Sequence, residues 1–264
     1  MIKFFRKIRY DLIEKNKTGK YLNYAIGEII LVVIGILIAL QINNWNEERK
    51  SNEQIHALLD NLKTSIEEDK EYLNTTAVLH EFRSNSLSRL YHYALNKKEP
   101  NSPVRPISKL ENNTIWKGSY PDSVNLDFAN LTIIYSGIHD DVVINKNVLD
   151  ELKNTGLFSE LKNDALKESI NTYYSFVNSN FLIDDWNKDL SISWRHFLRD
   201  KYDVLTMELY NINSPYDLVR KNEPIQTRIH EMIGPARFRS SNATKAIKLA
   251  EYLLIEIDKY QNKK

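Results

Sequence analysis

The stretch that decides the architecture is residues 24–42, which read YAIGEIILVVIGILIALQI. Glu28 and Gln41 are its only strongly polar side chains. At a rise of ~1.5 Å per residue, nineteen helical residues span about 28 Å, which is close to the hydrocarbon thickness of a bilayer. The stretch therefore predicts a transmembrane helix, which we place at residues 22–44.

Charged residues flank this helix asymmetrically. Two acidic residues on its amino-terminal side are outnumbered by seven basic ones: Lys3, Arg6, Lys7, Arg9, Lys15, Lys17 and Lys20. On the other side, Glu47 and Glu48 precede the first basic residues. Because basic flanks stay in the cytoplasm, we expect the amino terminus there and residues 45–264 in the periplasm of a cell whose inner membrane holds the helix.

The first residues have the pattern of an amphipathic helix. Apolar side chains gather on one side of a helical wheel and basic ones, among them Lys3, Arg6 and Lys7, on the other. Such a segment suits the surface of an anionic inner leaflet. We predict that residues 1–21 form a cytoplasmic basic segment that fixes the orientation of the anchor; binding of a cytoplasmic partner is the alternative.

We expect the helix to be retained rather than cleaved as a signal peptide. A signal peptidase site needs small residues just after the apolar run. Residues 40–45 here read LQINNW, with bulky side chains in those places. Tyr24 and Trp45 fall at the two ends of the span, where amphipathic rings are favoured.

Glu28 lies about 6 Å inside the predicted span. On the helix it shares a face with Gly35 and Ala39, and small residues four apart let a second helix approach closely. Glu28 is then either a buried acid at a helix–helix interface or a side chain that extends back to the inner surface. In both cases we expect self-association or a membrane-protein partner.

The run GEIILVVIGILIALQINNWNE at residues 27–47 resembles the bitopic membrane proteins of domain-of-unknown-function family 6090, found in Gram-negative bacteria. The opening IKFFRKIR, the later DELKNTGLF at residues 150–158 and the NTYY at residues 171–174 fit it as well. The resemblance implies an inner-membrane protein with a mostly helical periplasmic part. It implies no catalytic residue.

Beyond Trp45 three apolar stripes have the helical spacing of three and four residues. Between Gly35 and Pro100 there is no glycine or proline, so we expect the first helix to continue directly, unless residues 74–76 (NTT) interrupt it. The stripes are Ile55, Leu58, Leu59, Leu62, Ile66 and Leu73; Leu166, Ile170, Tyr173, Val177 and Phe181, continued by Leu190, Trp194 and Phe197; and Ala246, Ala250, Leu253, Ile257 and Tyr260.

These patterns predict a mainly α protein whose transmembrane helix continues into an elongated helical bundle. Its one irregular part is an insertion at residues 97–145, which opens with several prolines. Within it, residues 131–136 and 142–144 are rich in β-branched side chains and pair as a β-hairpin or cover the bundle as loops. Thr155 and Gly156 mark a helix stop.

Composition and charge exclude some classes of function but do not identify one. The chain has no cysteine, and beyond residue 42 it carries 29 basic and 32 acidic residues, which gives no electrostatic case for nucleic acid. No residue set predicts a catalytic, cofactor or metal site, so we expect none. The leading hypothesis is a non-catalytic interaction or ligand-sensing module that contacts the lipid bilayer. The alternatives are a membrane-anchored periplasmic hydrolase and an accessory subunit of an ion-coupled complex.

Overall fold

The computed structural model describes residues 18–97, 110, 113–183, 186–206 and 212–262, and these residues are mainly helical. The chain forms two compact units, Met1–Ala57 and Leu58–Lys264. The α-helices in chain order are α1 (Thr18–Ala94), α2 (Leu126–Ser136), α3 (Asn147–Asn154), α4 (Leu157–Glu160), α5 (Asp164–Val177), α6 (Trp186–Tyr202), α7 (Pro215–Arg220) and α8 (Glu223–Gln261). A π-helical turn, Asn178–Leu182, follows α5.

Helix α1 continues without a break through residues 74–76. The Thr75 hydroxyl donates to the Glu71 carbonyl one turn back, at 3.1 Å, so it bonds within the continuing helix and does not cap a new one. The prediction that the apolar helix runs directly into the next one is therefore confirmed. The predicted domain boundary at residue 45 concerns the membrane and stays a prediction.

The three apolar stripes are confirmed as the buried faces of α1, α5 and α8. Most of their members have exposed fractions between 0% and 8%, whereas Leu190, Phe197 and Tyr260 are half-buried. The predicted stop also holds: α3 ends at Asn154, and Gly156 follows with φ of 80°, the left-handed conformation that glycine adopts most easily. Residues 184–185, between Phe181 and Leu190 of the second stripe, lie outside the described residues.

The β-hairpin alternative is wrong, because the described part of the insertion contains no strand and includes α2. Asn125 caps α2 by accepting a hydrogen bond from the Phe128 N–H at 2.9 Å. Phe128, Thr132 and Ser136 then repeat every four residues on the buried side. Burial of this face outweighs the strand preference of the β-branched side chains.

The second half of the presumed hairpin is held by other elements instead of a partner strand. Asp69 of α1 accepts a hydrogen bond from the Asn145 N–H at 3.0 Å. The Tyr174 hydroxyl of α5 donates to the Asn145 carbonyl at 3.1 Å. Because side chains of α1 and α5 satisfy both backbone groups of Asn145, these groups do not need the hydrogen bonds of a partner strand.

The second unit is centred on a stretch of α1 that is buried on every side, residues 76–88. Helix α8 packs along α5 and is tied to α1 by Ser240, whose hydroxyl donates to the Ala77 carbonyl at 2.9 Å. On another side, Trp194 of α6 donates to Ser136 of α2 at 2.7 Å. A helix enclosed in this way must hydrogen-bond its polar side chains within the protein.

Candidate functional site

The apolar part of α1 is exposed around its whole circumference. Exposed fractions of its large side chains run from 47% at Val33 to 69% at Leu31. The most apolar stretch has a mean hydropathy of 2.6, and none of it is buried. A core helix of a soluble protein buries such residues, so this stretch is a weak candidate for a membrane anchor by length, composition and exposure.

Glu28, Gly35 and Ala39 lie on one face of this exposed stretch, since seven and four residues are close to whole helical turns. Glu28 is half-buried and Ala39 is exposed. No heavy atom lies within 4 Å of the position that a Cβ on Gly35 would take. There is therefore open space beside Gly35 for the close approach of a second helix.

Trp45 is 64% exposed at the end of the apolar stretch. Lys3, Arg6, Lys7 and Arg9 lie outside the described residues, as does the side chain of Tyr24. The predicted contacts of these residues with the membrane interface stay predictions.

In the second unit, a buried cluster of polar side chains joins α1, α8 and the segment after α2. We call it the Asp140 cluster, and it consists of Thr76, His80, Arg83, Asp140 and Arg239. His80 Nε2 lies 2.7 Å from Asp140 Oδ1, and the Thr76 hydroxyl donates to Asp140 Oδ2. Arg239 donates to the Asp140 carbonyl at 3.2 Å, and its guanidinium stacks over the ring of Phe181 in the π-helical turn.

The charges of this cluster follow from its burial. Burial, together with the charges of Arg83 and Arg239, lowers the pKa of His80 despite the opposing effect of Asp140, so the imidazole is neutral at neutral pH. Burial by itself raises the pKa of Asp140, but the hydrogen bonds from His80 and Thr76 hold it below its usual range. Asp140 is therefore a carboxylate, and His80 Nε2 carries the proton that it donates.

Two further buried carboxyl groups of α1, those of Asp69 and Glu81, bind the segments that connect the other helices. Asp69 accepts from the Tyr173 hydroxyl at 2.8 Å as well as from the Asn145 N–H, and burial raises its pKa to about 6. Glu81 accepts from Asn85 at 2.7 Å, from the Tyr120 hydroxyl at 2.9 Å and from the Asn113 amide. The polar side chains of α1 thus bind the two irregular segments that cover it.

The histidine and acidic residues at 139–141 do not converge. Asp140 points inward, whereas the side chain of Asp141 is 66% exposed and pairs with Lys188 at 2.9 Å. Among the described residues, no group of three His, Cys, Asp or Glu side chains could hold a metal ion. Tyr173 of α5, Phe181 of the π-helical turn and Trp194 of α6 belong to the core, since they are at most 4% exposed.

Sequence reasoning missed the Asp140 cluster, Asp69 and Glu81. Their signal was available: between residues 76 and 90 apolar side chains such as Val78, Phe82 and Leu87 point in several directions, which indicates a helix enclosed on all sides. The polar side chains among them then have to be buried. Their partners come from residues 113–145, α5 and α8, and sequence spacing does not identify them.

Residues 28–113 match the profile of a family of unknown function, DUF6090. This supports the resemblance inferred from the sequence for that part of the chain, which includes most of the apolar stretch and most of α1. Comparisons with curated proteins and with solved structures return no match.

Proposed function

We propose that this protein is a single-pass inner-membrane protein with its amino terminus in the cytoplasm. Residues 45–264 then form a periplasmic helical module that binds a partner or ligand without catalysing a reaction. The observation that carries the proposal is the apolar stretch of α1, which is exposed on all sides.

The energetics favour lipid around this stretch. Burial of each large aliphatic side chain is worth about 1.5–3 kcal/mol relative to water. Every side chain that stays in water loses this stabilisation, and a hydrocarbon environment restores it for all of them together. Water-exposed apolar patches of this size are also rare on soluble monomers.

A binding role is supported by the burial of the groups that could otherwise react. The hydrogen bond between His80 and Asp140 resembles the one by which a carboxylate orients a catalytic histidine that acts as a general base. The His80 side chain is 0% exposed, however, and its second nitrogen Nδ1 contacts no nucleophile in the described part of the chain. The pair therefore serves to hold the segment around Asp140 on α1.

The proposed mode of association is a helix contact at Gly35. Because this face of α1 carries a small residue with open space beside it, two helix backbones can approach closely there. A second copy and a different membrane protein both fit this surface, and the experiment separates them.

The test is chemical crosslinking of the full-length protein in its own membranes, followed by purification in mild detergent. We expect a stoichiometric complex, either of this chain with itself or with one other membrane protein. Gly35→Leu should reduce the recovered complex several-fold. Leu37→Phe is the matched control, because it adds bulk about 200° around the same helix. Recovery of the crosslinked wild type as a monomer alone would contradict the proposal.

A further inference from the structure

Arg83 of α1 is a buried cation with poor acceptors. Its side chain is 1% exposed. Nη2 donates to Met232 Sδ of α8 at 3.5 Å, and a thioether is a weak acceptor. Nε and Nη1 are buried and have no hydrogen-bond partner in the part of the chain that the structure describes. An unmatched buried guanidinium is among the most costly groups a core can hold.

Asp140 does not neutralise Arg83 by itself. One carboxylate oxygen accepts from Thr76, and the other lies 2.7 Å from His80 Nε2 and 3.8 Å from Arg239 Nε. Burial lowers the pKa of Arg83 to about 10 against the charge of Asp140, so the guanidinium stays charged at neutral pH. It therefore needs a further acceptor that carries negative charge.

His80, one turn earlier on α1, adds an unmatched acceptor. Because Nε2 donates to Asp140, Nδ1 carries a lone pair, and this atom is also buried without a hydrogen-bond partner. An anion placed directly against the lone pair would be repelled. A water molecule between the two would donate one hydrogen to His80 Nδ1 and the other to the anion.

We propose that Arg83 anchors a binding site for a small monovalent anion of the size of chloride, in the core of the second unit between α1 and α8. Two guanidinium groups, Arg83 and Arg239, face the one carboxylate of Asp140, so one further negative charge balances the cluster. The anion must be small because residues 76–88 are enclosed on all sides. Its entry requires the covering segment around Asp140 or the neighbouring turn of α8, which contains Pro235, to move aside. The site does not depend on the membrane anchor or on the proposed partner.

The test is thermal unfolding of the full-length protein in detergent, followed by circular dichroism at constant ionic strength while chloride replaces gluconate. We expect a saturable rise of the midpoint; at 100 times the dissociation constant the unfolding constant falls about 100-fold. Arg83→Met should abolish the chloride response, and without chloride it should be at least as stable as the wild type. Arg49→Met, which removes an exposed arginine paired with Glu53, should keep the response.

A wild-type midpoint that does not depend on chloride would overturn the proposal and leave water as the occupant. Equal chloride responses of the wild type and Arg83→Met would also overturn it, since the anion would then bind elsewhere. If Arg83→Met does not fold, crystals of the wild type grown in bromide decide the question. Anomalous density in contact with the Arg83 guanidinium supports the site, and density only at the surface contradicts it.

Discussion

At the scale of single residues, Asp69 links stability to pH. Its pKa is raised to about 6 in the folded protein, against 3.8 for the free side chain. The folded state therefore binds a proton more tightly than the unfolded state. The stabilisation that this gives is complete below pH 3.8 and is lost as the pH rises through 6.

Asp69→Asn removes this dependence and keeps an amide that can accept from Asn145 and donate to Tyr173. We expect the unfolding free energy of the variant, relative to wild type, to rise between pH 4 and pH 7 by about 2 kcal/mol. Urea titrations at several pH values measure it. Asp122→Asn, at an exposed position, is the control and should follow the wild type. Parallel profiles for wild type and Asp69→Asn would refute the assignment.

Gly137 is required because of its neighbours. A Cβ there would lie 2.5 Å from both Arg195 Cγ and Thr206 Oγ1. We expect Gly137→Ala to lower the unfolding free energy by about 1–3 kcal/mol, the usual cost of overpacking. A double-mutant cycle checks the cause, because in an Arg195→Ala/Thr206→Ala background the same change should cost less. An unchanged cost would point to the backbone instead.

The two glycines show how far sequence reasoning extends at this scale. Gly156 was predicted as a helix stop, because its role is local and depends on its own φ angle. Gly137 lies between the two β-branched segments, residues 131–136 and 142–144, that we considered as a hairpin. Its actual role depends on α6 and on Thr206, more than fifty residues away, and sequence spacing carries no information about such a contact.

At the scale of elements, the insertion is held to α1 through Glu81. Tyr120→Phe removes a hydrogen bond to a carboxylate and should lower the unfolding free energy by about 1.5–3 kcal/mol. Tyr93→Phe is the matched control, because its hydroxyl donates to a neutral acceptor of the same insertion, the Pro121 carbonyl at 3.0 Å. There we expect about 1 kcal/mol. If denaturant titrations show that both variants lose the same unfolding free energy, the hydrogen bond to Glu81 is no stronger than the one to the neutral carbonyl.

Helices with one apolar stripe were predictable from sequence, and the enclosed part of α1 and the fold of the insertion were not. The stripes of α5 and α8 repeat every three or four residues, which is a local property. The β-branched residues of α2 favour a strand, whereas the cap at Asn125 favours a helix. The burial of Phe128 decides for the helix. That burial depends on Phe82 and Trp116, whose rings lie 5.9 and 5.0 Å from it.

At the scale of the whole molecule, the sequence predicted where the chain is apolar but not where it is buried and polar. The exposed stretch of α1 can be recognised from composition alone, because its apolar residues are contiguous over about twenty positions. The Asp140 cluster combines residues from α1, α8 and the segment between α2 and α3, so it exists only after folding. For the same reason, the proposed anion site at Arg83 could not be inferred before the structure.

The central claim is that residues 22–44 span the inner membrane with the second unit in the periplasm. Single-cysteine labelling tests it most directly, because the chain has no cysteine of its own. The reporters are Asn16→Cys, before the apolar run, and Asn154→Cys, at an exposed position of α3. A membrane-impermeant maleimide is added to cells whose outer membrane alone has been permeabilised.

We predict that the Asn154→Cys protein is labelled at full length under these conditions. The Asn16→Cys protein should react only after the inner membrane is disrupted. Labelling in the opposite pattern would contradict the orientation. Protection of both cysteines, with the protein recovered in the soluble fraction after lysis, would contradict the membrane anchor itself.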